Sequence, residues 1–148
     1  MDKDDVVRKA LRFPIEPVLK LYMKWFGVSD DEAHEHELEL KRCLALLALN
    51  KGRQYRFGNA PITNLWRTFI VFTVLYTEFC TSVSGAYLHY TPAEAQPVPK
   101  GENVRSYQEL LRDYQAVFKT EPPSHLWPQA EQDQESLRLD AELAFDGR

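Results

Sequence analysis

The chain lacks most of the marks by which proteins declare a function. Only 2 cysteines occur among 148 residues, too few to staple a small secreted domain, so a reducing compartment is expected. The first twelve residues carry Asp2, Asp4 and Asp5 in place of a basic and then apolar leader, which points to the cytoplasm. Basic charge is not in excess: 18 Lys and Arg face 22 Asp and Glu, for a net charge of -4. No field for gathering nucleic-acid phosphates results, and no nucleic-acid partner is expected. The longest apolar stretch, residues 65–83, is interrupted by Arg67 and Glu78, leaving less than the roughly 20 residues that a bilayer span requires. A membrane partner is therefore not expected either. Glycine-rich phosphate loops, nucleophile elbows and paired-histidine metal helices are missing too. Enzyme classes that announce themselves by such motifs are disfavoured.

What is present is a core. With 44% hydrophobic and 12% aromatic residues, a chain of this length suits a single globular domain. A short helix is expected near residues 4–11, and the stripe Ile15, Val18, Leu19, Tyr22 and Phe26, set between Pro17 and Gly27, predicts a second. Ser29-Asp30-Asp31-Glu32 has the form of a capping box and opens a helix from Asp30 to about Leu49. After an aperiodic loop, Thr63 suits an N-cap for the most apolar helix, residues 63–84, which Gly85 terminates. Ser106 caps a further helix striped by Tyr107, Leu110, Leu111, Tyr114 and Phe118. The expected fold is all-α, a single-domain bundle of about five helices around the central apolar helix 63–84. Pro92, Pro97 and Pro99 mark an irregular crossover. Residues 1–128 form the helical domain, and 129–148, with six acids against two arginines, an acidic tail that is weakly helical or flexible.

Chemistry-bearing residues are few. His34 and His36 stand about 200° apart on a helix and cannot share an ion, so the run around them reads as a solvated face and no metal or other cofactor is expected. Cys43 and Cys80 sit at apolar positions of different helices and read as buried thiols. Lys51, Arg53 and Arg56, interleaved with Tyr55 and Phe57, offer a weak anion- or nucleic-acid-binding loop; anchorage of a solvated loop by Tyr55 or Phe57 is the stronger reading.

The most distinctive stretch joins Trp66, Phe69, Ile70, Thr73, Tyr76, Phe79, Cys80, Gly85, His89 and Pro92 at fixed spacing, followed by Tyr114, Phe118, Pro122, Pro123, Trp127 and Pro128. This pattern resembles the glycine-rich domain-containing protein-like family over residues 38–128. Thr63, Arg67 and Tyr90 stand where that pattern has Asp, His and His, and Lys119 where it has glycine. The resemblance implies no reaction, and the chain is expected to be a non-catalytic accessory protein acting through protein contacts. The alternative is an enzyme or metalloprotein with a site around Arg67, His89 and Tyr90. There Arg67 would bind an anionic group and His89 would move a proton, with Tyr76 or Glu78 contributing from the same helix as Arg67. On one straight helix Arg67 and Glu78 would stand about 16 Å apart, too far to pair.

Overall fold

The computed structural model describes residues 2–51, 53, 55, 57, 60–90 and 102–128. Among them are six helices and no strand, so the fold is all-α. They divide into two compact units, residues 1–53 with 60–88, and residues 54–59 with 89–148. The Pro-rich crossover, the acidic tail and Arg56 lie outside the described residues.

Local signals set most helix ends of the first unit. Helix α1, Lys3–Arg12, is capped by the Asp2 carboxylate, which accepts from the Asp4 amide at 3.1 Å. Its first turn is acidic and its last basic, as the helix dipole favours. Helix α2, Glu16–Phe26, carries Pro17 in its first turn and ends at Gly27, whose φ of 64° is the left-handed conformation that glycine adopts without strain. The predicted capping box opens helix α3, Asp30–Leu49: Ser29 Oγ accepts from the Glu32 amide and Glu32 Oε1 from the Ser29 amide, each at 3.2 Å.

The apolar segment predicted as one helix over 63–84 is two, α4 (Ala60–Val71) and α5 (Thr73–Ser84). Thr63 lies inside α4 and is not its cap; Pro61, which favours a first turn, starts the helix earlier. The break falls at Phe72, where ψ reaches 72° and the amide turns back to the Phe69 carbonyl at 3.0 Å. The flanking residues Ile70, Val71, Thr73 and Val74 are all β-branched, the class that loses most side-chain freedom in a helix. At the far end Gly85, with φ 76°, closes α5.

Helix α3 touches every other helix of this unit, while α4 and α5 pack on it and on each other. The core is filled by Leu40, Leu44 and Leu46 of α3, Ile15, Leu19 and Tyr22 of the α2 segment, and Phe69, Tyr76 and Phe79 of the broken pair. Phe69 meets Tyr76 and Phe79 edge-on at 4.9 and 5.3 Å between ring centres, and Phe13 meets Phe79 likewise at 5.3 Å.

In the second unit, helix α6 (Glu102–Phe118) begins earlier than the Ser106 cap predicted. Lys119 follows it at φ 58°, the left-handed conformation that glycine suits best. The chain after Pro123 folds back: Trp127 is fully buried, its amide reaches the Pro123 carbonyl at 2.7 Å, and Tyr107 donates to the Pro128 carbonyl at 2.7 Å. Tyr55 and Phe57 are buried here as anchors, Phe57 edge-on to Trp127 and Tyr55 donating to the Asp113 carboxylate.

Candidate functional site

The residues singled out from sequence have different fates. Arg67 on α4 and Glu78 on α5 are exposed, whereas Trp66 beside Arg67 is buried, the division expected of neighbours about 100° apart. Because α4 and α5 are separate helices, the straight-helix separation assumed for Arg67 and Glu78 does not hold. His89, exposed, and Tyr90, half-buried, belong to the second unit. Lys51 donates to the Ser84 carbonyl at 2.9 Å, placing a cation on the C-terminal end of α5. That contact gives it a structural role beside any anion it meets.

The conspicuous aromatic and cysteine positions form a closed chain of hydrogen bonds. Trp66 Nε1 donates to Tyr76 Oη at 2.9 Å, Tyr76 donates to the Leu88 carbonyl, and the Leu88 amide donates to Cys80 Sγ at 3.3 Å. In an unbroken helix ten residues rise about 15 Å and both rings lean toward the N-terminus. The break at Phe72 is what lets Trp66 reach Tyr76. Burial pushes the Tyr76 hydroxyl well above the ordinary tyrosine range and raises the Cys80 thiol, so both stay protonated at neutral pH. A protonated, buried thiol is a poor nucleophile. This network ties the chain beyond Gly85 to α4 and α5, and its chemistry is that of a fastener.

A second polar region lies along α2 and α3. Tyr22 Oη stands 3.1 Å from the Pro61 carbonyl and 2.9 Å from His36 Nδ1. A carbonyl only accepts, so the hydroxyl hydrogen goes to Pro61 and His36 Nδ1–H donates to the phenol oxygen. His36 is buried, which corrects the reading of the 34–37 run as uniformly solvated: α2 covers this face of α3. Desolvation, with the charge of Glu32 adding to it, raises Tyr22 to about 12. Farther along, Lys41 is buried and its Nζ donates to the Phe13 carbonyl at 2.6 Å, the Leu11 carbonyl at 3.4 Å and Glu37 Oε2 at 2.6 Å. It thereby caps the end of α1. Glu39, only 1% exposed, meets Arg42 at 3.3 Å.

At the solvent edge of this region three donors from two helices converge. One ligand atom each from Glu16 of α2 and from His34 and Glu37 of α3 lie within 4.8 Å of one another. His34 Nδ1–H donates to the Asp30 carbonyl at 2.8 Å, and that bond, chiefly, holds the ring toward its protonated form. Sequence spacing missed this set because Glu16 is 18 positions from His34 in the chain and reaches it only through the packing of α2 on α3.

Large apolar side chains are also left facing solvent. Trp25 is 54% exposed and Phe26 44%, while Val71 and Val74 are exposed on either side of the Phe72 break. Taking about 100° per residue, Trp25 and Phe26 fall on the same side of α2 as the buried Val18, Leu19 and Tyr22. They extend the core stripe into water.

Among known proteins, a family model described as UCP032817-like matches residues 2–121, and the chain belongs to that family. This overturns the resemblance to the glycine-rich domain-containing protein-like family. The shared positions Trp66, Phe69, Tyr76, Phe79 and Cys80 are buried packing and hydrogen-bonding residues, and Gly85 ends α5. No curated protein and no solved structure matches the chain.

Proposed function

We propose that this member of the UCP032817-like family is a non-catalytic accessory protein of the cytoplasm that acts by binding another protein. One observation carries the reading: the buried stripe of α2 continues into Trp25 and Phe26, which are about half exposed. A tryptophan beside a phenylalanine on a helix held rigid by its own core contacts is the kind of anchor that dominates protein interfaces. Phe26 is steadied by Tyr22, with ring centres 5.4 Å apart, so little freedom is lost on docking. The free, buried thiols of Cys43 and Cys80 accord with a reducing compartment. Among the described residues no helix is long and apolar enough to cross a membrane, and neither lipid nor nucleic acid is part of this reading.

Capture from a lysate of the native cell, with the wild-type chain and a Trp25→Ser/Phe26→Ser variant as baits, tests the proposal. The expected result is a protein retained by the wild type and lost from the variant, with the variant still folded by circular dichroism. Trp66 and Trp127 are buried, so quenching of tryptophan emission by acrylamide reports mainly on Trp25 and should fall when the captured partner is added. Identical captured sets for the two baits would remove this face from consideration.

A further inference from the structure

We propose that Glu16, His34 and Glu37 form a binding site for a divalent transition-metal ion of the zinc type, with one nitrogen and two carboxylate ligands held between α2 and α3. The three donor atoms already lie within 4.8 Å of one another. Bonds of about 2.0–2.2 Å in a tetrahedral shell place neighbouring ligand atoms about 3.3–3.6 Å apart. The set must therefore draw in by about 1 Å at most, a rotamer-scale adjustment that the exposed side chains of Glu16 and His34 can make.

Two of the ligands are already oriented by outer contacts. The Asp30 carbonyl takes the Nδ1 hydrogen of His34 at 2.8 Å, which leaves the lone pair of the neutral ring on Nε2. This hydrogen bond from the non-coordinating nitrogen to a backbone carbonyl is the usual support of a metal-bound histidine. Glu37 is fixed at Oε2 by the buried Lys41 ammonium at 2.6 Å. A carboxylate has roughly four lone-pair positions, so this bond leaves Oε1 to coordinate. Lys41 also removes part of the local negative charge, which weakens the pull on a cation. Three protein donors leave a position for water or an outside ligand. The site stands independently of the Trp25–Phe26 face, and either can fail without the other.

The test uses the full chain, stripped with a chelator and titrated with Zn²⁺ by calorimetry, then with Co²⁺ while its visible absorption is followed. One equivalent of Zn²⁺ and a Co²⁺ spectrum of low coordination number are expected. His34→Ala should abolish binding and Glu16→Gln should weaken it about tenfold or more, while His125→Ala in the second unit should leave it unchanged. Glu16→Gln is the deciding variant: it alters an exposed, isosteric group and does not strand Lys41. Absence of saturable Zn²⁺ binding would overturn the proposal. So would wild-type affinity in Glu16→Gln with its circular dichroism intact, because the ion would then sit elsewhere or on α3 alone.

Discussion

Two polar networks in the first unit invite comparison. The chain from Trp66 through Tyr76 and Leu88 to Cys80 is built from residues that stand out in the sequence, and it is shut away from water. The group of Glu16, His34, Glu37 and Lys41 looks like ordinary helix-surface charge in the sequence, yet it gathers from two helices at the solvent edge. The first network is buried, and its polar atoms are turned to one another and to the Leu88 backbone. The second keeps lone pairs facing outward. Conspicuous residues here mark what the fold requires, and chemical capacity sits where the sequence looks bland.

The sharpest way to break this contrast is Trp66→Ala. If the aromatic chain is a fastener, the loss of a buried indole should cost about 3–5 kcal/mol in urea denaturation. Trp66→Phe, which keeps most of the bulk and removes the donor, should cost about 1–2 kcal/mol. A loss below 1 kcal/mol for the alanine variant would show that the network is incidental.

Lys41→Met probes the seam between the second network and the end of α1, since Lys41 serves both the carbonyls of Leu11 and Phe13 and Glu37. Removing the ammonium leaves those acceptors without their donor and should cost about 2–3 kcal/mol, read from the same denaturation curves. If the variant is as stable as wild type, water replaces the ammonium and the seam is not a structural element.

Titration reaches one buried phenol in each region. Tyr22 is raised in the folded state to about 12, and Tyr76 is raised as well, both chiefly by desolvation, whereas the unfolded phenols ionise near 10. A group whose folded value is raised contributes stability that is fully present below the unfolded value. That contribution is lost as pH climbs through the folded one. Denaturant stability should therefore decline from about pH 10 toward pH 12. Tyr22→Phe should flatten part of the decline; an unchanged slope would mean that Tyr22 ionises freely.

The smallest effect is expected at Arg67. It is exposed beside the buried Trp66, so Arg67→Ala should shift stability by about 0.5 kcal/mol or less in thermal or urea unfolding. A loss of several kcal/mol would make it part of the fastener and erase the division between the adjacent side chains.

Much of the fold was legible because it depends on local signals. The capping box at Ser29 and Glu32, Pro17 at the start of α2, and Gly27 and Gly85 at helix ends each act within a turn or two of chain, where sequence is a sufficient guide. The break at Phe72 was hidden because an apolar helix and two apolar half-helices share one periodicity, and only the β-branched cluster of residues 70–74 hinted at it. His36 was misread because an isolated stretch of helix does not show which neighbour covers it. Glu16 could be joined to His34 and Glu37 only after α2 was laid on α3. The candidate site was thus half legible: His34 and Glu37, three apart on α3, share a face by spacing alone, while Glu16 joins them only in three dimensions.

The discontinuity at Phe72 has a further consequence, in the exchange of amide hydrogens with solvent. Each new helix start leaves first-turn N–H groups without an intrahelical acceptor, and Phe72 supplies no side-chain cap to replace one. The amides of Thr73 and Val74, whose residues face water, should therefore exchange quickly in the middle of an otherwise protected apolar segment, while Tyr76, bonded to the Phe72 carbonyl at 2.8 Å, should exchange slowly. Such a window allows local opening to begin in the interior of the chain, at the α4–α5 junction, while the Trp66–Tyr76 bond still holds the two helices together.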